Sequence, residues 1–176
     1  TMTIGSAWSL NKNWQYLNHD SLDLEGIELN TTGFMDTVKS IVIVYSWNGA
    51  SVKNSMLYCD GTSGNFVSPR TDGYTWDTAG GEIYHDGIQS NSTQFTSLPK
   101  TPGLELFSDK WTVIIFNKQR LSAWSPLLRF FAYPGYSDFS SSVGAKVACI
   151  GVYNQDLTAA DIHDITHWGK SRFGNL

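Results

Sequence analysis

The stretch "IGVYNQDLTAADIHDITHWGKSRFG", residues 150–174, is the part of the chain with a clear helical pattern. It opens with apolar, strand-like residues, and Thr158 is then followed three residues later by Asp161. This spacing is typical of a capping box, in which the two side chains meet free N–H groups at a helix start. The stretch therefore predicts a strand that leads directly into a helix.

Apolar residues recur at helical spacing beyond this start. Ile162, Ile165 and Trp168 (or Gly169) form one narrow stripe, which predicts an amphipathic helix. Gly169 and Gly174 are both candidate stopping points, because glycine is common just after helix ends. We expect this single helix to pack on the outside of a β-structure.

The chain before residue 158 consists of short strand-like segments and turn clusters. The runs "SIVIVY" (40–45) and "WTVIIF" (111–116) are apolar on consecutive residues, which indicates strands covered on both faces. Since no helical pattern precedes residue 158, the second layer must be another sheet, and a β-sandwich follows. In "IYHDGIQ" (83–89) an Asp-Gly pair between apolar residues predicts a hairpin.

Composition limits the class of protein. The 176 residues fit one domain spanning 1–176, and a net charge of −4 without a basic cluster argues against a nucleic-acid partner. The longest apolar runs are too short to cross a membrane, so no membrane insertion is expected. No signal peptide pattern opens the sequence, and "TMTIG" is typical of initiator Met removal, which predicts synthesis and assembly in a cytoplasm.

The chain contains two cysteines, Cys59 and Cys149. A chain of this length does not need disulfide staples, and Cys149 lies inside the apolar run "VACIGVY" (147–153). We expect two buried free thiols.

The closing strand and helix resemble those of concanavalin A-like lectin/glucanase domains, in particular the laminin-G-like subset. The elements that match are "IGVYNQDLT" followed by "AADIHDITHWGKSRFG", with looser matches at 39–49 and 83–89. The resemblance implies an all-β fold, a two-sheet antiparallel jelly-roll sandwich with one short C-terminal helix. Such domains are common in bacteriophage tail and capsid-surface proteins, in bacterial adhesins and beside glycoside hydrolases.

The segment "LDLEGIEL" (22–29) is the sharpest catalytic candidate. Gly26 shifts the apolar alternation as a β-bulge does, so that Asp23, Glu25 and Glu28 would share one face. Glucanases of the family it resembles use Glu-x-Asp-x-x-Glu on such a strand, and a retaining mechanism needs two converging carboxyls. The first two acids here are exchanged relative to that pattern, and the segment lies early in the chain. The alternative is a half-exposed strand with a polar outer face.

Aromatic and acidic residues form a candidate carbohydrate-binding set, because sugars bind flat rings flanked by hydrogen-bonding side chains. The set comprises Asp72, Tyr74, Trp76, Tyr133 and Tyr136. Tyr74 and Trp76 alternate and can share one face of a strand. Three interpretations stay open for them: a glycan platform, a protein interface, or core packing.

Metal-site patterns are weak. A calcium ion held by loop oxygens is one hypothesis, with Asp60, Asn65, Asp72, Asp77 and Asp86 as the available ligands, and turn capping is the alternative role of these residues. His163 and His167 are four apart on the predicted helix, but without a third ligand nearby we interpret them as a solvated helix face. We therefore expect neither a cofactor nor a dedicated metal site.

Together with these patterns, the resemblance implies a non-catalytic virion structural protein, a phage capsid decoration or a tail or fibre module assembled in the host cytoplasm. Its expected partners are other virion proteins and further copies of itself, together with cell-surface glycans. The first alternative is a glycoside hydrolase that uses the three carboxylates of 22–29. A secreted adhesin or carbohydrate-binding module is the second, and the fold class alone does not separate these functions.

Overall fold

The structure, a computed structural model, describes residues 2–4, 8–11, 13, 15–19, 27–30, 32, 38–47, 58–59, 66–70, 73–76, 82–90, 108–117, 127–130 and 145–174. Thirteen strands and one helix lie within these ranges. In chain order they are β1 (Met2–Ile4), β2 (Trp8–Leu10), β3 (Leu17–His19), β4 (Ile27–Asn30), β5 (Ser40–Trp47), β6 (Tyr58–Cys59), β7 (Phe66–Arg70), β8 (Gly73–Trp76), β9 (Glu82–His85), β10 (Ile88–Ser90), β11 (Ser108–Asn117), β12 (Leu127–Phe130), β13 (Lys146–Tyr153) and α1 (Ala159–Phe173).

The strands form two sheets in which every described pairing is antiparallel. The six-stranded sheet has the order β1-β4-β12-β6-β7-β8, and the seven-stranded sheet has the order β10-β9-β11-β5-β13-β3-β2. The chain is thus mostly antiparallel β-sheet with one short C-terminal helix, as the sequence predicts.

The two sheets share one apolar cluster, here called the inter-sheet cluster. The six-stranded sheet contributes Ile27, Leu128 and Phe130, and the centre of the seven-stranded sheet contributes residues such as Ile43 and Ile114. All five side chains are almost fully buried. Burial of an aliphatic or aromatic side chain stabilises a fold by about 1.5–3 kcal/mol, so this cluster is a main source of stability.

The opposite face of the seven-stranded sheet carries a second apolar cluster, here called the helix-side cluster. Val42 and Val44 of β5 and Val113 of β11 meet Ile162 and Phe173 of the helix there. Successive residues of β5 and β11 therefore enter different clusters, because neighbouring side chains of a strand point to opposite faces. This explains the consecutive apolar runs: one face is covered by the other sheet and the opposite face by α1.

The helix starts as predicted. The backbone N–H of Asp161 donates to Thr158 Oγ1 at 3.2 Å, and the backbone N–H of Thr158 donates to Asp161 Oδ2 at 2.8 Å. Hydrogen bonds from the Thr158 side chain and backbone also lower the pKa of the Asp161 carboxyl. The capping box therefore supplies partners for N–H groups that a helix start leaves free.

Gly169 is not a stopping point, because α1 continues through it to Phe173 and Gly174 follows. A Cβ atom placed on Gly169 would lie 2.6 Å from Val113 Cγ2 and 3.5 Å from Val44 Cγ2. The missing side chain thus lets the helix backbone approach the sheet closely. The buried stripe runs through Ile162 and Gly169, whereas Trp168 is 46% exposed. Of the two residues predicted as alternatives for the end of the apolar stripe, Trp168 and Gly169, the structure therefore selects Gly169.

Replacing Gly169 with alanine tests this close approach. Gly169→Ala should lower the free energy of unfolding by about 1–3 kcal/mol, since the added methyl group overpacks the contact with Val113. Helix propensity alone would change stability in the opposite direction, by about 1 kcal/mol. Chemical denaturation gives the measurement, and combining the change with Val113→Ala should cost less than the sum of the two single variants. A neutral or stabilising Gly169→Ala would contradict the close approach.

Candidate functional site

The structure places one of the three candidate catalytic carboxylates. Glu28 lies on β4, half-buried, next to Ile27 of the inter-sheet cluster and therefore on the opposite face of the six-stranded sheet. It is paired in register with Thr3 of β1 and Arg129 of β12. Asp23 and Glu25 lie outside the described residues, so the convergence of the three carboxylates stays a prediction.

Two of the five candidate carbohydrate-binding residues lie on a described strand. Tyr74 and Trp76 occupy β8, which ends the six-stranded sheet, and their spacing of two places them on one face of it. Asp72, Tyr133 and Tyr136 lie outside the described residues.

The strand register indicates which face Tyr74 and Trp76 occupy. Trp76 pairs with Val67, which in turn pairs with Tyr58, and Tyr74 pairs with Pro69, two residues after Val67. Cys59, the neighbour of Tyr58, pairs with Arg129, which lies between Leu128 and Phe130 on β12. Paired residues share a face and adjacent residues of a strand take opposite faces. The positions of Tyr74 and Trp76 therefore lie on the face that also carries Leu128 and Phe130 of the inter-sheet cluster. The three interpretations of Tyr74 and Trp76 stay open.

Replacing Trp76 distinguishes these interpretations. If the ring packs in the core, Trp76→Ala lowers the free energy of unfolding by about 3–5 kcal/mol, as the loss of a core aromatic does. Thr75→Ala is the matched control, because Thr75 is adjacent on β8 and lies on the opposite face; it should change stability little. Unchanged stability of Trp76→Ala together with weaker retention on immobilised glycans would instead identify a glycan platform.

The hairpin predicted at 83–89 is present. β9 and β10 are joined by Asp86 and Gly87, whose φ angles are 48° and 82°. Two successive positive φ values are typical of a type I′ turn, which asparagine, aspartate and glycine adopt most easily. The local sequence alone therefore specifies this connection.

Asp86 also holds the helix against the sheet. Its Oδ1 accepts the backbone N–H of Val113 at 2.8 Å, and its Oδ2 lies 2.9 Å from Lys170 Nζ of α1. Lys170 Nζ donates in addition to the backbone carbonyl of Trp111 at 2.9 Å.

Of the candidate calcium ligands Asp86 is thus engaged within the fold, and Asp60, Asn65, Asp72 and Asp77 lie outside the described residues. Within the described part of the chain, the histidines, cysteines and acidic residues form no group of three or more suited to a metal.

A buried polar network fixes the segment that leads into the helix. The side-chain amide of Asn117 accepts the backbone N–H of Leu157 at 2.8 Å and donates to its carbonyl at 3.0 Å. Asn117 also donates to Glu82, which accepts the Tyr84 hydroxyl at 2.9 Å, and Ser40 contacts Asn117 Oδ1 at 2.8 Å. Burial and then the Glu82 hydrogen bond raise the pKa of Tyr84. The network acts as structural support, and the sequence analysis did not identify it.

His85 is the unusual polar residue of the core. It is 1% exposed, and within the described residues neither Nδ1 nor Nε2 has a hydrogen-bond partner. Burial lowers its pKa, and the positive charge of Lys170 acts in the same direction while Asp86 opposes it. The folded protein therefore favours the neutral imidazole.

Acidification should weaken the fold through His85. Between the lowered pKa of the folded state and the ordinary histidine value of about 6.5, the unfolded chain binds more protons, so stability falls as the pH falls through this window. We expect the free energy of unfolding to decrease from pH 7.5 to pH 5.5 in denaturant titrations. His85→Leu should flatten this dependence without a large loss of stability at pH 7.5, because neither ring nitrogen has a hydrogen-bond partner among the residues that the structure describes.

The exposed His163→Gln variant is the control and should keep the full pH dependence. A pH dependence that is the same in His85→Leu and in the unmodified protein would show that His85 is not its source.

The described residues enclose one open apolar cavity of about 370 Å³ beside the first strands. We call it the bulge cavity, because Ala148 there is an extra residue in β13: Val147 pairs with Tyr45, whereas Cys149 pairs with Val44. The lining residues are Met2, Leu10, Gln15, Tyr16, Leu17, Ile27, Val147, Ala148, Cys149 and Ile150. Ligand pockets in proteins have volumes of about 300–1,000 Å³ and mostly apolar walls, so the bulge cavity is a candidate site.

Polar groups in this cavity come from Gln15, Tyr16 and Cys149. The Asn11 side chain accepts the backbone N–H groups of Gln15 and Tyr16 at 2.7 and 3.2 Å, which fixes the turn between β2 and β3. The Tyr16 ring packs edge-on against Trp111 at 5.2 Å. Such a wall can hold an apolar group and orient it by a few hydrogen bonds.

Cys149 is a free thiol but only half-buried, which corrects the prediction of full burial. Cys149 follows the bulge, lines the bulge cavity and packs at the margin of the helix-side cluster. Burial nevertheless raises the pKa of its thiol. Cys59 lies on β6, and its side chain is outside the described part of the structure.

Comparisons with protein-family models, with curated proteins and with solved structures find no match to this chain. Within the described residues, α1 is neither long nor apolar enough to cross a membrane. The resemblance of residues 150–174 to concanavalin A-like domains therefore stays a prediction.

Proposed function

We propose that this chain is a non-catalytic structural protein of a virion, built as a concanavalin A-like jelly-roll sandwich. The virion assignment comes from the resemblance of residues 150–174 to domains that are common in bacteriophage tail and capsid-surface proteins. The two sheets and their shared inter-sheet cluster are compatible with a sandwich. In this proposal the protein acts by assembly, with other virion proteins and further copies of the chain as partners.

The observation that carries the proposal is the apolar mouth of the bulge cavity. Met2 and Leu10 line the cavity and are 57% and 49% exposed. Large exposed apolar side chains around a recess are typical of protein contacts, where the recess receives a side chain of the neighbouring subunit. We therefore propose this mouth as the site of subunit contact.

The contacts inside the protein also suit a scaffold. The central strands β5 and β11 are covered on both faces, and the helix over them is held by Lys170, Asn117 and the capping box. A rigid domain of this kind can present the same surface in many copies, so that repeated weak contacts add up to strong attachment. Host-surface glycans are the further partner in this proposal, with the set Asp72, Tyr74, Trp76, Tyr133 and Tyr136 as its residues.

The alternative is a glycoside hydrolase that uses Asp23, Glu25 and Glu28. The position of Glu28 on the face opposite Ile27 is the feature that supports it. Virion assembly remains the preferred proposal, because the cavity mouth offers an apolar contact surface that hydrolysis does not require.

Light scattering coupled to size exclusion, with and without calcium, tests the assembly. We expect a closed oligomer that Leu10→Ser weakens by about 10- to 100-fold in dissociation constant, which corresponds to about 1.5–3 kcal/mol for one buried leucine. Ile88→Ser is the matched control, because Ile88 is exposed to a similar degree, 54%, and does not line the cavity.

An oligomer that dissociates with Leu10→Ser and persists with Ile88→Ser would support the proposed contact. A monomer at all concentrations, or an oligomer that both changes weaken equally, would contradict it. An oligomer that forms only with calcium would show that a metal contributes to assembly.

A further inference from the structure

The outer face of α1 carries two histidines one turn apart, His163 and His167. Residues four apart on a helix are neighbours, with Cβ atoms about 5–6 Å from each other. The two imidazole rings are nearly parallel, with an interplanar angle of 14° and centroids 6.4 Å apart. Both residues are exposed, and the His163 side chain is 78% accessible.

Two imidazoles bound to one metal ion both hold the ion in their ring planes, so the nearly parallel rings of the pair have to turn toward a common point before they chelate. With Zn–N distances of about 2.0–2.1 Å and tetrahedral angles, the centroids of two bound rings lie about 5–5.5 Å apart. The rings of His163 and His167 would need to approach by about 1 Å and to turn out of their parallel orientation, which the rotamer changes of exposed side chains provide.

Asp164 supplies the partner that histidine ligands usually have. Its Oδ1 lies 3.1 Å from His163 Nδ1, and a proton on Nδ1 donating to that carboxylate leaves the Nε2 lone pair free. Carboxylates in this position fix the ring and increase its basicity as a ligand. The Asp164 side chain is itself 82% exposed, so its carboxylate adds a negative charge beside the two histidines while it stays in contact with water.

The helix beneath the pair is a rigid base. The capping box fixes its start, Lys170 binds Asp86 near its end, and Ile162 and Gly169 pack on the sheet. A preorganised site loses less conformational freedom on binding than a site on a loop.

We propose that His163 and His167 chelate one divalent transition-metal ion, of which Zn²⁺ is the probe. Imidazole nitrogen favours zinc, nickel and copper, whereas magnesium and calcium prefer oxygen ligands. Two histidines fill two positions of a tetrahedral ion, and water or the same pair of a second copy of the chain fills the others.

Calorimetric titration of the full chain with Zn²⁺ in a buffer that does not chelate tests the site. Wild-type protein should bind, with one ion per chain if water completes the site and one ion per two chains if a second copy does. His163→Gln and His167→Gln should each weaken binding by about tenfold or more, and Asp164→Asn should weaken it by a smaller factor, within about tenfold. Magnesium should not compete.

A rescue variant controls for indirect effects. Ser171 is exposed and lies four residues after His167, so His163→Gln combined with Ser171→His rebuilds the same spacing one turn further along α1. This double variant should recover binding that His163→Gln loses, and thermal unfolding should confirm that each variant is folded. No heat of binding in the wild type, or binding unchanged by His163→Gln and His167→Gln, would overturn the proposal.

Discussion

The structure depends on the need to cover the central strands β5 and β11 on both faces. Their side chains alternate between two apolar clusters, so neither strand has a face that can be left to water. One cluster is closed by the six-stranded sheet and the other by a single fifteen-residue helix. The helix has to lie close to the sheet to exclude water. Gly169 permits this short separation, because the absence of a side chain leaves space for Val113. Because dispersion contacts weaken steeply with separation, the fit at this position affects the whole helix-side cluster.

Directional contacts at the two ends of the helix complement this non-directional packing. Asn117 binds both backbone groups of Leu157 just before the helix, and Lys170 bridges Asp86 and the Trp111 carbonyl near its end. Apolar packing alone would permit the helix to slide along the sheet, whereas hydrogen bonds fix its position and direction. The polar groups nearest the core therefore serve mainly to orient α1.

Local patterns predicted the local parts of this fold well. Thr158 with Asp161 and Asp86 with Gly87 act within a few residues, so the capping box and the hairpin could be inferred directly from the sequence. Gly169 was ambiguous, because a glycine that ends a helix and one that permits close packing look the same in sequence. The half-exposure of Cys149 could not be inferred either, since it depends on the pairing of β13 with β5. The candidate sites were harder still: the bulge cavity joins residues from the first strands with β13, and the burial of His85 is a tertiary property.

The position of α1 along the chain has a consequence for folding. Ser40, at the start of β5, and Gln155, which precedes the helix, are 115 residues apart and yet joined by a hydrogen bond at 2.9 Å. During synthesis, β5 and β11 therefore leave the ribosome well before the helix that covers them. Until then the valines of the helix-side cluster face solvent or whatever else is near, and such partly formed sheets are prone to associate. The segment from β13 through α1 thus sets the time at which β5 and β11 become covered, and a chaperone or early contact with another copy would act in that interval.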